Sequence, residues 1–427
     1  MIALRYGDET VPFLLDDRIH WQILEKTIPS PELKEEEIVG RAVDDLLQQL
    51  ADRIKSRQKL LLVVPDHTRR CQLALVLPLL TSALENKFSC RIEILIANGS
   101  HALQPEQTIR QLVGDDIYDR YSVQQHDCRD SENLDYFGQT SNGTPVYLNK
   151  KIRAADFILT IGGVLYHYFA GFGGGPKMLL PGVAGYETIR LNHRRTIDEK
   201  TGLFHPDCHE GNISTNPVFN DLVQIVNFVP NVLSLQLAIN EKGRIVAALA
   251  GPILPTHKKI CALVEKMYSL PIGYKADVVV ASAGGFPSDV NLIQSHKSIH
   301  HAFQAVKENG QIIILAECRE GIGSKTFMPY FDEGSSAAIG RKLLKDYKIN
   351  GHTALALKCK TEKSKIILIS QLPPSQVRKT GMIPAKDLAQ AWYMIAADMV
   401  PNATGYIFPN AHIYVPVLTP NRHSDKS

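Results

Sequence analysis

Short apolar runs rich in Val, Ile and Leu recur along this chain at residues 60–64, 92–97, 157–161, 278–281, 312–315 and 366–369, and this repetition is what most restricts its fold. Each run is too short to span a membrane and lacks the strict alternation of a half-buried strand. Each therefore reads as a strand covered on both faces. Between several of them lie stretches with helical spacing. The clearest, residues 32–54 after Ser30-Pro31, puts Ile38, Ala42, Val43, Leu46, Leu47 and Leu50 on one stripe. Strands that alternate with helices build parallel sheets, so the fold class is α/β.

A chain of 427 residues exceeds one ordinary core. Two domains are expected, each with a largely parallel sheet flanked by helices, and with the active site in the cleft between them. Residues 232–239 and 244–249, joined by Asn240-Glu241-Lys242-Gly243, read as an antiparallel hairpin closing the first domain. The boundary is placed near Leu270-Pro271-Ile272-Gly273, giving domains over 1–269 and 270–418 and a polar, frayed tail over 419–427.

Forty-seven basic and forty-four acidic side chains leave a net charge of +3, with no basic stripe of the kind that binds nucleic acid. The seven cysteines are scattered, odd in number and never spaced as C-x-x-C, which argues against a disulfide framework and a zinc ribbon. The first residues lack a basic segment followed by an apolar run, and nowhere do eighteen apolar residues follow one another. A soluble, cytoplasmic chain without membrane contact is expected.

In open parallel sheets ligands bind beyond the carboxyl ends of the strands. Four such places are polar here: Pro65-Asp66-His67-Thr68-Arg69-Arg70, Asn98-Gly99-Ser100-His101, the loop from Tyr166-His167 to Lys177, and Ser282-Ala283-Gly284-Gly285-Phe286-Pro287. The glycines of the third loop would let backbone approach a ligand; the plainer alternative is a mobile surface lid. Pro176-Lys177-Met178 breaks the P-loop pattern and offers no hydroxyl for magnesium, which sets aside ordinary ATP or GTP hydrolysis. Asp66 and Thr68 have a structural alternative as caps of the next helix. His193 alone is more often structural than a ligand, and no H-e-x-x-H or thiolate set would complete a metal site around it. His205-Pro206-Asp207-Cys208-His209 matches no zinc spacing and is left outside the site, as are His296, His300 and His301, at least one of which is expected to be exposed.

Together these loops resemble the nickel-pincer-nucleotide-dependent lactate racemase family over nearly the whole chain. The most specific stretch runs from His167 through Phe-Ala-Gly-Phe and the glycines to Lys177, Leu180-Pro181-Gly182 and Asn192-His193. The resemblance implies a nickel-pincer nucleotide (pyridinium-3,5-bisthiocarboxylic acid mononucleotide) tethered to Lys177, with nickel completed by His193. The cofactor would thereby supply the ligands that the chain lacks.

It further implies that His101 and His167 act as acid and base, a task suited to imidazole because its ordinary pKa is about 6.5. Asp66, His67, Thr68 and Arg69 would hold the nucleotide, with Arg69 also near the substrate, and Gln294 and Lys297 would take the substrate carboxylate. The implied reaction inverts a small 2-hydroxy acid by proton-coupled hydride transfer through a 2-keto acid, and the implied partners are that acid and the cofactor-making enzymes. Oligomeric state is left open. A cofactor-storing protein that binds nickel or nucleotide without turnover, and a hydride-transfer dehydrogenase or dehydratase, are the alternatives.

Four positions depart from the family pattern. Ile293 stands where the lactate-handling members have tyrosine, Asn350-Gly351-His352 stands near a missing tryptophan, Pro176 replaces an arginine, and Ala102 follows His101. The first two are expected to move selectivity from lactate toward a larger or more polar 2-hydroxy acid.

Overall fold

The structure, a computed structural model, describes residues 1–28, 31–51, 53–54, 58–69 and 71–419. Ser30, Arg70 and the expected tail after Thr419 lie outside the described residues. Two compact units divide the chain: one comprises Ile28–Arg195 and Asp207–Met267, the other Met1–Thr27, Thr196–Pro206 and the chain from Tyr268 onward.

The first unit is built on a six-stranded sheet in the spatial order Ile245–Pro252, Val232–Ile239, Phe157–Val164, Lys59–Pro65, Arg91–Ala97, Ser122–Gln125. All neighbours are parallel except the hairpin of the first two. That hairpin turns over Asn240 to Arg244, where the Gly243 amide donates to the Asn240 carbonyl. The central strand Lys59–Pro65 is buried on both faces; on one of them Val39, Ala42, Val43, Leu46, Leu47 and Leu50 of Glu35–Leu50 pack into the same core as Leu60, Leu62 and Val64.

From Lys59–Pro65 the chain proceeds to Arg91–Ala97 and Ser122–Gln125 on one side, then to Phe157–Val164 and Val232–Ile239 on the other. The carboxyl ends of Lys59–Pro65 and Phe157–Val164 therefore flank a topological switch point, where a ligand crevice is favoured.

The second unit has its own six-stranded parallel sheet in the order Ile383–Ala385, Lys365–Ile369, Val306–Leu315, Ala276–Ser282, Ala403–Phe408, Ile19–Ile23. Residues 1–27 thus belong to the second unit, and differ in this from an unbroken 1–269 domain. Ile19–Ile23 forms its edge beside Ala403–Phe408, and Phe13 meets Trp21 and Trp392 with ring centroids 5.5 and 5.6 Å away. Such a pairing between the ends of the sequence leaves no local periodicity. None of His296, His300 and His301 is exposed, contrary to expectation. Their helix, Leu292–Ala305, packs against two strands of the sheet and against Gly351–Thr361, so more than one of its faces is covered. No described helix is long and apolar enough to cross a membrane.

Candidate active site

Parallel strands Lys59–Pro65 and Arg91–Ala97 end side by side, Pro65 opposite Ala97, so the residues that follow them meet. Asp66 is 2% exposed; its Oδ2 lies 2.5 Å from His101 Nδ1, and its Oδ1 accepts from the Thr68 amide at 3.1 Å and hydroxyl at 2.6 Å. Burial alone would raise the Asp66 carboxyl. The hydrogen bonds from His101 and Thr68 and the charges of His101 and Arg69 outweigh it and hold the group below the usual carboxylate range. Asp66 thus closes its own turn and orients His101. It does not cap the next helix, which begins at Leu73 after a left-handed Gln72.

The loop after Phe157–Val164 is no surface lid: Phe169, Ala170, Gly171, Phe172, Gly175 and Pro176 are buried. Its glycines approach the chain itself. At Gly174 (φ 71°) a Cβ would come 2.7 Å from the Gly163 carbonyl oxygen, which excludes other residues. The buried Phe169 ring gathers three of the candidate side chains. Lys177 Nζ stands 5.0 Å from its centroid, the His193 ring 5.1 Å and the His167 ring 4.4 Å, both edge-on.

His193 sits in the last turn of Tyr186–Arg194. Asn192 Nδ2 donates to the Val218 carbonyl at 2.9 Å, so its oxygen is the end that faces His193 Nδ1 at 3.2 Å. Nδ1 then carries the hydrogen and Nε2 is the lone-pair nitrogen, the tautomer a metal ligand needs. Buried Asp221 supports this corner, accepting from Arg195 Nε at 2.8 Å and Thr144 Oγ1 at 2.7 Å. Among the described residues no three His, Cys, Asp or Glu side chains gather to hold a metal ion. His193 by itself offers a single donor.

Sequence reasoning missed Asp221, Gln236 and His257 as neighbours of these residues, since nothing in residue type or spacing marks them, and it gave Asn192 only as part of the motif without a role. His257 is 1% exposed. Burial, and after it the Lys177 ammonium, push its imidazole down to about 3. The folded chain therefore binds fewer protons there than the unfolded one, whose histidines titrate at about 6.5. Stability is expected to fall as pH drops from about 6.5 toward 3, by up to about 1.4 kcal/mol per pH unit for this one proton. Burial lowers His126 too, adding in the same direction. Denaturant titrations at several pH values measure the slope, and a flat profile across that window would show the rings charged in the folded state.

His67 and Arg69 are exposed. Arg69 lines, with Gln72, Gln111, Lys242 and Gly243, a cavity of about 440 Å3. Gln294 and Lys297 stand in the first turns of Leu292–Ala305 in the second unit, with Lys297 Nζ donating to Gln294 Oε1 at 3.2 Å. The donors of residues 205–209 are not gathered. Cys208 is buried against the Arg195 carbonyl and Asn216, and burial pushes its thiol up to about 12. His209 Nδ1 faces the Glu210 carbonyl.

The two-unit α/β fold is shared with an isomerase of the racemase type. The family model of the lactate racemase N-terminal domain matches residues 6–203, and that of the lactate racemase C-terminal domain matches residues 273–412. A lactate racemase from Thermoanaerobacterium thermosaccharolyticum is 30% identical over 412 residues, covering 94% of this chain and 95% of that protein. One from Lactiplantibacillus plantarum is 29% identical over 334 residues, or 76% and 77% of the two chains. The apoprotein structure of the Thermoanaerobacterium thermosaccharolyticum lactate racemase superposes with a TM-score of 0.87 at 28% identity, covering 97% of this chain and 99% of that one. The chain belongs to the lactate racemase family and is an isomerase.

Proposed function

We propose that this enzyme racemises or epimerises a 2-hydroxy acid by means of a nickel-pincer nucleotide tethered to Lys177. The observation that carries the reading is the convergence of Lys177, His193 and His167 on the Phe169 ring. The residues fit the group: one lysine for attachment, one imidazole whose Nδ1 faces the Asn192 side-chain oxygen, and, among the described residues, no cluster of three protein donors that would hold a metal without it. Arg69 and Lys242 at their cavity supply cations suited to a nucleotide phosphate.

When bound, such a group supplies a hydride acceptor and donor at the substrate's C2, linking the two configurations through a 2-keto acid. The chain's own residues manage protons and charge. Asp66 holds the Nδ1 hydrogen of His101, so Nε2 of that ring exchanges the hydroxyl proton and the carboxylate balances the imidazolium formed. His167 is the second proton carrier. Lys297, oriented by Gln294, is assigned the substrate carboxylate.

Ile293 stands where the lactate-handling pattern has tyrosine, and Asn350-Gly351-His352, with His352 buried and its Nδ1 2.5 Å from the Tyr347 hydroxyl, lies near the place of that pattern's tryptophan. The preferred substrate is accordingly a larger or more polar 2-hydroxy acid than lactate. The Asp66–His101 pair weighs against a cofactor-storing role, since mere retention of a cofactor does not call for an imidazole held in one tautomer.

The deciding experiment gives the cofactor-loaded enzyme a panel of C2-deuterated 2-hydroxy acids of each configuration. Inversion with deuterium kept at C2 is expected. Accumulation of 2-keto acid with loss of label would instead define a dehydrogenase, and no turnover at all a binding protein.

A further inference from the structure

The 3-10 turn Gly175–Met178, which carries Lys177, rests on a buried side-chain pair. A Cβ at Gly175 (φ 50°) would overlap Nδ1 of His257 and come 3.0 Å from Oε1 of Gln236. The direction of the bond between those two side chains is determined. Gln236 Nε2 lies 3.0 Å from the Ile253 carbonyl oxygen and 2.8 Å from Ser234 Oγ. A carbonyl only accepts, so the amide nitrogen points that way and Oε1 faces His257 Nδ1 at 2.7 Å. Nδ1 must carry the hydrogen, and Nε2 is left as an acceptor.

That Nε2 is buried and has no hydrogen-bond partner among the described residues, while Phe219 stacks on the ring at 5.8 Å and Phe172 meets it edge-on at 6.5 Å. A buried acceptor without a donor is unfavourable and calls for a physical reason.

We infer that His257 is a positioning residue for Lys177: its Nε2 accepts a hydrogen from the lysine side-chain nitrogen and sets the direction in which that nitrogen meets the cofactor. The inference rests on Lys177 being the tether. The Lys177 ammonium already acts electrostatically on the ring, and the flexible lysine stem lets its nitrogen turn toward an acceptor. That nitrogen bears hydrogen both as a free amine and after an amide-type bond is formed, so one acceptor serves both states.

Two measurements test this. In the apoprotein, 15N imidazole spectra are expected to show His257 as the neutral Nδ1–H tautomer, with an Nε2 resonance that moves in Lys177→Ala. A resonance that stays unmoved overturns the inference without reference to any cofactor. The second measurement is the fraction of chains bearing the Lys177 adduct after co-expression with the cofactor-making enzymes. His257→Asn keeps a donor toward Gln236 and deletes the Nε2 acceptor, whereas His257→Gln keeps an acceptor near the Nε2 position. Loading is expected to drop about tenfold in the Asn variant, the scale of one lost hydrogen bond, and to recover in the Gln variant. Equal loading, or better loading by Asn than by Gln as a purely structural bond to Gln236 requires, overturns it. A wild-type chain without adduct overturns the tether reading instead, and the spectra then decide on His257.

Discussion

Lys177→Ala protein, co-expressed with the cofactor-making enzymes and desalted, is expected to show the bare mass of the chain and no racemisation above background. The loss should be at least about 10^6-fold, the lower end of what enzymatic catalysis supplies, because the hydride chemistry would leave with the cofactor. The effect is not one of folding. The Lys177 side chain is only half-buried, and its backbone bonds, from its amide to the Gly174 carbonyl and from the Gly182 amide to its own carbonyl, survive truncation. Thermal midpoints close to wild type are therefore expected. Lys177→Arg separates charge from attachment: it keeps a cation over the Phe169 ring, yet a guanidinium does not form the tether. Intact-mass spectrometry and chiral chromatography read both variants. An adduct that persists at full occupancy in Lys177→Ala would move the tether elsewhere and end the assignment.

The parts of this molecule legible in the sequence are those where a local pattern has one physical meaning. The runs at 60–64, 92–97 and 157–161 are central parallel strands because only burial on both faces tolerates such composition. The strand-end rule then locates Asp66, His101 and the loop to Lys177, and the hairpin announces itself through Asn240 to Gly243. What the sequence hid is contact between distant residues. Ile19–Ile23 is an edge strand in which only Ile19 is fully buried, and its partner Ala403–Phe408 lies at the far end of the chain. His257 and Gln236 occupy a helix and a strand of ordinary apolar character, so their place beneath Gly175 emerges only when the sheet is assembled. Asp66 shows an intermediate case. Its position at a strand end was readable, but its bond to His101 depends on the register of two strands, Pro65 opposite Ala97.

That bond predicts the second large effect. Asp66→Asn preserves shape but changes which atoms can donate. The Thr68 amide and hydroxyl both lie within reach of Asp66 Oδ1, so the asparagine oxygen is held there and its Nδ2 hydrogens face His101 Nδ1. The imidazole must then take the opposite tautomer, with hydrogen on Nε2, and loses its ability to accept the hydroxyl proton. A fall in kcat of about 10^2- to 10^4-fold is expected, the range attributed to one positioned acid or base. Because the two enantiomers of a substrate have equal free energy, kcat/KM must fall by the same factor in both directions, even where kcat and KM divide the loss differently. Inequality of the two factors would point to chemistry other than simple racemisation. The same variant carries a stability signature of known sign. Asp66 is held below the usual carboxylate range, so it binds a proton less readily in the folded chain than in the unfolded one, and the wild type loses that stabilisation as pH falls through the carboxylate range. Asparagine does not titrate, and the variant should show a shallower acid limb. Near wild-type kcat/KM in Asp66→Asn would mean that His101 does not need this carboxylate, and would return Asp66 to the nucleotide-holding role that the family resemblance implies.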